Sequence, residues 1–173
     1  MAGRGKFRVN HALIHSVYIL CCFLTCCTPA SATPTHTYST WQTQELDSVA
    51  SAWLIIRFVD TEAGFRFVPN GELIPEGVSF NVPGGTYTRT HDQTTYDQIR
   101  VDAELNDPVL DAIGAIIYTV EIDYWLGTGD PLVLEVDGKM QEIIQRNADP
   151  AAIYEAGFIY LDELYAMLQA TSP

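Results

Sequence analysis

The chain has 173 residues, and its 22 acidic and nine basic side chains give a formal net charge of −13 at pH 7. A surface this acidic opposes binding to nucleic acid, because contact with phosphates requires clustered lysine and arginine. All four cysteines lie within positions 21–27, so the rest of the chain has no thiol for catalysis, for a disulfide or for a metal site. We expect no nucleic acid partner.

The first 32 residues have the pattern of a secretory signal. Basic residues within positions 1–8 precede an apolar stretch at 12–27, and the small residues Ala30-Ser31-Ala32 follow. This order is typical of a signal peptide, and the apolar stretch is short and impure for a membrane span, which needs about 20 residues. We predict cleavage after Ala32 and export to the periplasm or the extracellular space, with no membrane span left in the mature chain.

Two alternatives to cleavage stay open. Leu24-Thr25-Cys26-Cys27 resembles a degenerate lipoprotein signal, which would anchor the chain through a lipid on Cys26 or Cys27. An uncleaved apolar segment would act as a single anchor instead. Beyond the signal we predict a loose lead-in at 33–40 and one domain at 41–173, which is long enough to bury a core without disulfides.

The N-terminal half of this domain predicts one buried helix and a short sheet. Leu46 to Asp60 is apolar on nearly every side, which is typical of a buried helix, and Asp47 is placed to cap its start. Three strands are predicted at 65–68, 78–82 and 86–90, where strand-forming residues are bounded by proline and glycine.

The C-terminal half predicts about four helices packed on that sheet, and therefore a helix-rich α+β domain. The first runs from Thr95 to about Leu105. The segment 132–144 fits a helix, which we favour, but also a hairpin around Asp137-Gly138. The three helices after the first, including the one over 132–144, each begin with a capping aspartate before a proline suited to the first helical position. These pairs are Asp107-Pro108, Asp130-Pro131 and Asp149-Pro150.

The predicted buried helix carries the most specific motif of the chain. Ala52-Trp53-Leu54-Ile55, followed by Arg57-Phe58 and Asp60, resembles the opening of the chromate-resistance family, the ChrB-type C-terminal domain that also occurs alone as a "chromate resistance exported protein". The resemblance implies a role in chromate resistance and lowered chromate accumulation; in longer members this domain is joined to an N-terminal regulatory domain. Later segments match in order: Asn81-Val82-Pro83-Gly84, Thr95-Tyr96-Asp97, Asn106–Leu110 and Leu161–Ala166.

Two features depart from the family pattern. The family has basic residues where this chain has Glu45 and Ser48, and a histidine where it has Arg89. A basic pair beside a helix N-terminus would suit an oxyanion. With that pair absent, Asp47 from the family-like motif and the basic residues Arg57 and Arg89 are our ligand-binding candidates.

A metal site is a further possibility. His91 and Asp92 lie in a turn after a predicted strand, where ligands are often presented. With Asp47, Asp97, Glu121 or Asp123 nearby in the fold, they could form an imidazole–carboxylate site for a divalent metal ion, the one cofactor that these residues suggest. The chain has no HExxH motif and no EF-hand spacing. The alternative interpretation of His91 is an exposed turn residue.

Three functions follow from these observations. The leading hypothesis is an exported binding or stress-response factor of the chromate-resistance family. The second is a metal-dependent hydrolase or reductase that uses His91 and nearby carboxylates, and the third is a non-catalytic protein-interaction module. We favour a role without catalysis. The ligand, any protein partner and the oligomeric state are not determined by the sequence.

Overall fold

The described chain forms a small parallel sheet followed by a layer of helices. A computed structural model describes residues 36–74, 77–123 and 129–171. Within those ranges the chain has three strands and five α-helices, which confirms the helix-rich α+β class. The strands are β1 His36–Trp41, β2 Ala63–Val68 and β3 Val78–Ser79; the helices are α1 Leu46–Leu54, α2 Thr95–Asp102, α3 Pro108–Glu121, α4 Pro131–Arg146 and α5 Pro150–Thr171.

Helix α1 lies at the centre of the core, as its apolar composition predicts. All of its residues are buried. It continues as a π-helical turn over Ile55–Val59, which ends where the Asp60 N–H donates to the Ile55 carbonyl oxygen at 2.8 Å. The predicted buried helix over 46–60 is therefore confirmed, with a wider last turn.

The sheet has the order β2-β1-β3, and both pairs are parallel. β1 pairs with β2 from His36 opposite Ala63 to Trp41 opposite Val68, and with β3 through Tyr38 opposite Val78. Helix α1 connects β1 to β2, because two parallel strands need a crossover between them. All three strands therefore end at the same edge of the sheet.

The lead-in predicted at 33–40 is wrong from residue 36 onward, because His36–Trp41 is the central strand. Its threonine, tyrosine and tryptophan are good strand formers, but its polar composition indicated a loose segment. What makes it a strand is hydrogen bonding on both sides to segments that lie far along the chain, and composition does not report such partners. Ser39 and Thr40 are almost fully buried there.

The strand predicted at 86–90 is also wrong, and the one predicted at 78–82 ends at Ser79. Asn81 has a φ of 51° and turns the chain. Tyr87 then returns to form an isolated bridge with Phe80, and its N–H donates to the Ser79 carbonyl at 3.0 Å. The segment is a tight loop instead of a strand.

The three predicted aspartate caps are confirmed. Asp107 accepts the Val109 N–H at 2.8 Å, Asp130 that of Leu132 at 2.9 Å and Asp149 that of Ala151 at 3.2 Å. α4 is one continuous helix, so the hairpin alternative at 132–144 is wrong. Its buried residues recur every three or four positions, which gives a helix an apolar face: Val133, Val136, Met140 and Ile143.

The predicted signal peptide, its cleavage site after Ala32, and Cys26 and Cys27 lie outside the described residues. Among the helices that are described, none is both long and apolar enough to cross a bilayer.

Candidate functional site

Asp47 is a fully buried carboxylate in the first turn of α1. It does not cap its own helix. Its two oxygens accept the N–H groups of Thr95 and Tyr96, each at 2.9 Å, at the start of α2, and one of them also accepts the Ser51 hydroxyl at 3.3 Å. Asp47 therefore joins two helices by binding amides that α2 cannot satisfy internally.

Burial raises the pKa of Asp47 because it disfavours the charged form, and the amides of Tyr96 and Thr95 partly offset this.

Glu121, the last residue of α3, lies directly beside the start of α1. One of its oxygens accepts the Asp47 N–H at 3.2 Å, and the other forms an ion pair with Arg89. Arg89 also pairs with Glu45 at 3.0 Å. Arg89 thus pairs with two carboxyl groups, and the charge of Asp47 also acts on it; we call Glu45, Asp47, Arg89 and Glu121 the carboxylate–arginine cluster.

The pKa of Glu121 is raised to about 7. Burial is the largest cause, and the negative charge of Glu45 adds to it, while Arg89 acts in the opposite direction. Only 12% of the Glu121 side chain is exposed. A partly buried acid that exchanges its proton near neutral pH is typical of functional sites, although ion-pair networks also produce such shifts.

A cavity of about 370 Å³ lies beside this cluster, with Glu45 and Arg89 in its wall. Three further wall residues follow the three strands: Thr43 comes two residues after β1, Asn70 two after β2 and Asn81 two after β3. The cavity therefore opens at the carboxyl edge of the parallel sheet. In open α/β sheets ligands bind at this edge, where neighbouring strands connect in opposite directions.

Asn81 is a site residue that the sequence analysis treated only as part of a turn motif. Its amide nitrogen donates to Glu45 at 2.9 Å, and its amide oxygen accepts the Thr95 hydroxyl at 3.1 Å. Its positive φ is tolerated because asparagine adopts this conformation more readily than most residues. An asparagine shortly before Pro83-Gly84 was the available signal. Nothing in the sequence indicated Asn70 as a site residue, because only the pairing of the strands brings it to the cavity.

Of the ligand-binding candidates, the structure brings Asp47 and Arg89 together but not Arg57. Arg57 lies ten residues beyond Asp47, about 15 Å along the helix. Its guanidinium forms two hydrogen bonds with Asp162 of α5, at 3.0 and 2.9 Å, and lies over the Phe158 ring. Arg57 therefore links the π-helical turn that follows α1 to α5.

The metal candidates are dispersed. The side chains of His91 and Asp92 are 92% and 69% exposed, and His91 Nδ1 lies 3.6 Å from Asp92 Oδ1. Asp47, in contrast, is fully buried. Asp123 is half-buried after α3. Within the described ranges no group of three or more histidine, cysteine, aspartate or glutamate side chains is arranged to hold a metal ion. Metal binding stays a prediction, without a preformed ligand set in this part of the chain.

The family model for the ChrB C-terminal domain matches residues 38–168. This chain belongs to that family. Protein ChrB of Cupriavidus metallidurans is 29% identical over 136 residues, which cover 72% of this chain and 39% of that relative. The chain thus corresponds to less than half of the relative's length. No solved structure matches it.

The structure joins two of the departures from the family pattern in one ion pair. Glu45 forms an ion pair with Arg89, and the sequence analysis identified both residues as departures from the family pattern. The Arg89 guanidinium thereby supplies a positive charge beside the start of α1. That group is held by carboxylates, in contrast to a free basic pair.

Proposed function

We propose that this chain is an exported binding factor in chromate resistance and that its ligand binds in the cavity at the carboxyl edge of the sheet. Membership of the ChrB family supports the resistance role. One observation carries the site: the segments that follow all three parallel strands meet in the wall of a single cavity. Its volume of about 370 Å³ is within the range of small-molecule sites.

The cavity wall is held in place by its own hydrogen bonds, which supports binding. The Thr43 N–H donates to the Asn70 side chain at 3.0 Å, and the Asn70 amide donates back to the Thr43 hydroxyl. The Trp41 indole N–H donates to the Glu72 carbonyl at 3.1 Å. A wall that is ordered before binding loses less entropy when a ligand arrives.

The test is chromate survival of a strain that lacks the gene and is complemented with variants. Thr43→Phe fills the cavity from its rim, and Thr61→Phe places the same ring at an exposed turn position away from the cavity. We expect wild type and Thr61→Phe to restore tolerance and Thr43→Phe to fail. Full tolerance with Thr43→Phe would exclude the cavity as the site, and unchanged tolerance in the deletion strain would exclude the resistance role.

The location is tested separately, because the proposed role places the protein outside the cytoplasm. Mass spectrometry of the periplasmic and medium fractions should find a mature chain that begins at Thr33. Ala32→Arg should block this processing, since small residues are required next to the cleaved bond, whereas Ser31→Arg should not. A lipid on Cys26 or Cys27 would replace the free product with an anchored one.

A further inference from the structure

Several hydrogen-bond donors in the cavity wall are engaged by the protein itself. The Trp41 indole donates to the Glu72 carbonyl, the Asn70 amide to Thr43, and the Asn81 amide to Glu45 at 2.9 Å. Oxyanions are bound by donors. An oxyanion in this cavity would therefore compete with the protein's own acceptors for these three donors.

Arg89, the basic residue among those lining the cavity, is likewise engaged. Its guanidinium donates to both Glu45 and Glu121, and the charge of Asp47 also acts on it. One positive charge thus lies among three carboxyl groups, of which Glu45 lies in the cavity wall, so carboxyl groups of the chain already compensate the charge of Arg89.

The helix start beside the cavity already has a carboxylate bound to one of its N–H groups. A helix N-terminus attracts anions through its free N–H groups. In α1 the Asp47 N–H already donates to Glu121 at 3.2 Å. An external oxyanion would therefore compete with Glu121 for this N–H.

Acceptors, in contrast, remain available on the wall. The Glu45 side chain is 36% exposed, and the hydroxyls of Thr43 and Thr88 and the amide oxygen of Asn70 each retain an acceptor lone pair. Trp41 adds an aromatic wall, a group that attracts cations through its ring face. A complementary ligand carries positive charge, N–H donors and an apolar segment.

We propose that the cavity binds a small organic ammonium ion in preference to an oxyanion. This inference rests on the proposed function, because it assigns a ligand class to the same site. It also distinguishes the ligand from the resistance phenotype: the chain would contribute to chromate resistance without holding chromate in this cavity.

The experiment is isothermal titration calorimetry of the full chain with three four-carbon probes at about 0.15 M salt, where surface attraction is screened. The probes are 1,4-diaminobutane, 1,4-butanediol and succinate, which share a length and differ in charge. We expect binding of the diamine and none of the diol or succinate. Glu45→Gln should weaken diamine binding roughly tenfold, near the lower limit for a hydrogen bond to a charged group.

Glu142→Gln is the matched control, since Glu142 lies on α4 with Lys139 and Arg146 as its partners and should leave the dissociation constant unchanged. Equal weakening by both glutamine variants would show general attraction to an acidic surface and overturn the proposal. Tighter binding of succinate or chromate, or no binding of the diamine, would overturn it as well. If Glu45→Gln unfolds in circular dichroism, Thr43→Phe replaces it, and must abolish diamine binding.

The ligand class and the resistance role can fail separately. Chromate survival with Thr43→Phe judges the cavity as the site of the resistance function, whatever its ligand. Calorimetry judges the ligand class alone. If the Thr43→Phe strain loses chromate tolerance and the diamine does not bind the wild-type protein, the proposed function stands and the ammonium ligand is rejected.

Discussion

The two ends of the central helix are each joined to a distant helix by charged groups, but in opposite ways. At the far end, Arg57 and Asp162 form a one-to-one pair whose side chains are 41% and 44% exposed. At the start, Arg89 is shared among the carboxylates of the cluster, where Glu121 is mostly buried. The first arrangement pairs one charge with one opposite charge, while the second gathers three carboxyl groups around one guanidinium, and burial there raises the pKa of Glu121.

This difference also reverses the response to pH. The pair with Arg57 lowers the pKa of Asp162, so that its stabilisation is lost as pH falls. Burial raises the pKa of Glu121, so the contribution of protonated Glu121 to the stability of the fold is lost as pH rises. A structural pair and a strained cluster can thus be distinguished by the sign of their pH dependence.

The largest effect is expected from Asp47→Ala. It leaves the buried N–H groups of Thr95 and Tyr96 without their acceptor, at roughly 1–3 kcal/mol each, so we expect a loss of about 4 kcal/mol in urea unfolding. Asp47→Asn retains one acceptor oxygen and should lose less. A loss below about 1 kcal/mol for the alanine variant would mean that Asp47 does not hold the two helices together.

Glu121→Gln should alter the pH dependence of stability. The folded pKa of about 7 lies above the ordinary value of 4.5, so the folded state binds the proton more tightly. Its stabilisation is complete below about pH 4.5 and is lost as pH rises through 7, by up to about 3 kcal/mol. Unfolding of wild type and variant from pH 4 to 8 should show a difference that changes across this window; parallel curves would reject the shifted pKa.

Between the two ends, α1 and α5 approach closely at Gly157. A methyl group there would overlap the Val49 side chain. Gly157→Ala should therefore destabilise the fold by about 2 kcal/mol through overpacking. The control is Gly138→Ala in α4, where a methyl group meets nothing within 4 Å and should stabilise by up to about 1 kcal/mol. Equal midpoints for the two variants in thermal unfolding would contradict this close approach.

The smallest effect is expected from Asp162→Asn. Because both partners of the pair are substantially exposed, its contribution is screened, and we expect a loss of about 1 kcal/mol at pH 7 that disappears as pH falls below the ordinary aspartate range. Urea unfolding at pH 7 and pH 3 measures it. A loss at pH 7 as large as that of Asp47→Ala would erase the distinction between the two ends of the helix.

Patterns of local origin were predictable. The continuous apolar run around Trp53 predicted a buried helix, and the aspartate–proline pairs predicted three helix starts, because periodicity and capping act within a few residues. Asp47 was chosen for its place in the family-like motif. The prediction that it caps a helix was correct, but the helix that it caps is α2 and not α1. Arg57 was chosen with Asp47, yet the length of the helix separates them.

The amino-acid sequence by itself determined the family, the helix-rich class and the buried central helix, since each depends on neighbouring residues or on their short periods. Only the tertiary structure decided that His36–Trp41 is the middle strand, that Asn70 and Asn81 meet at one edge of the sheet, and that Glu121 and Arg89 come together. These juxtapositions depend on parallel pairing and helix packing between segments far apart in the chain. Such pairing sets which polar groups share a cavity, and local composition carries no record of it.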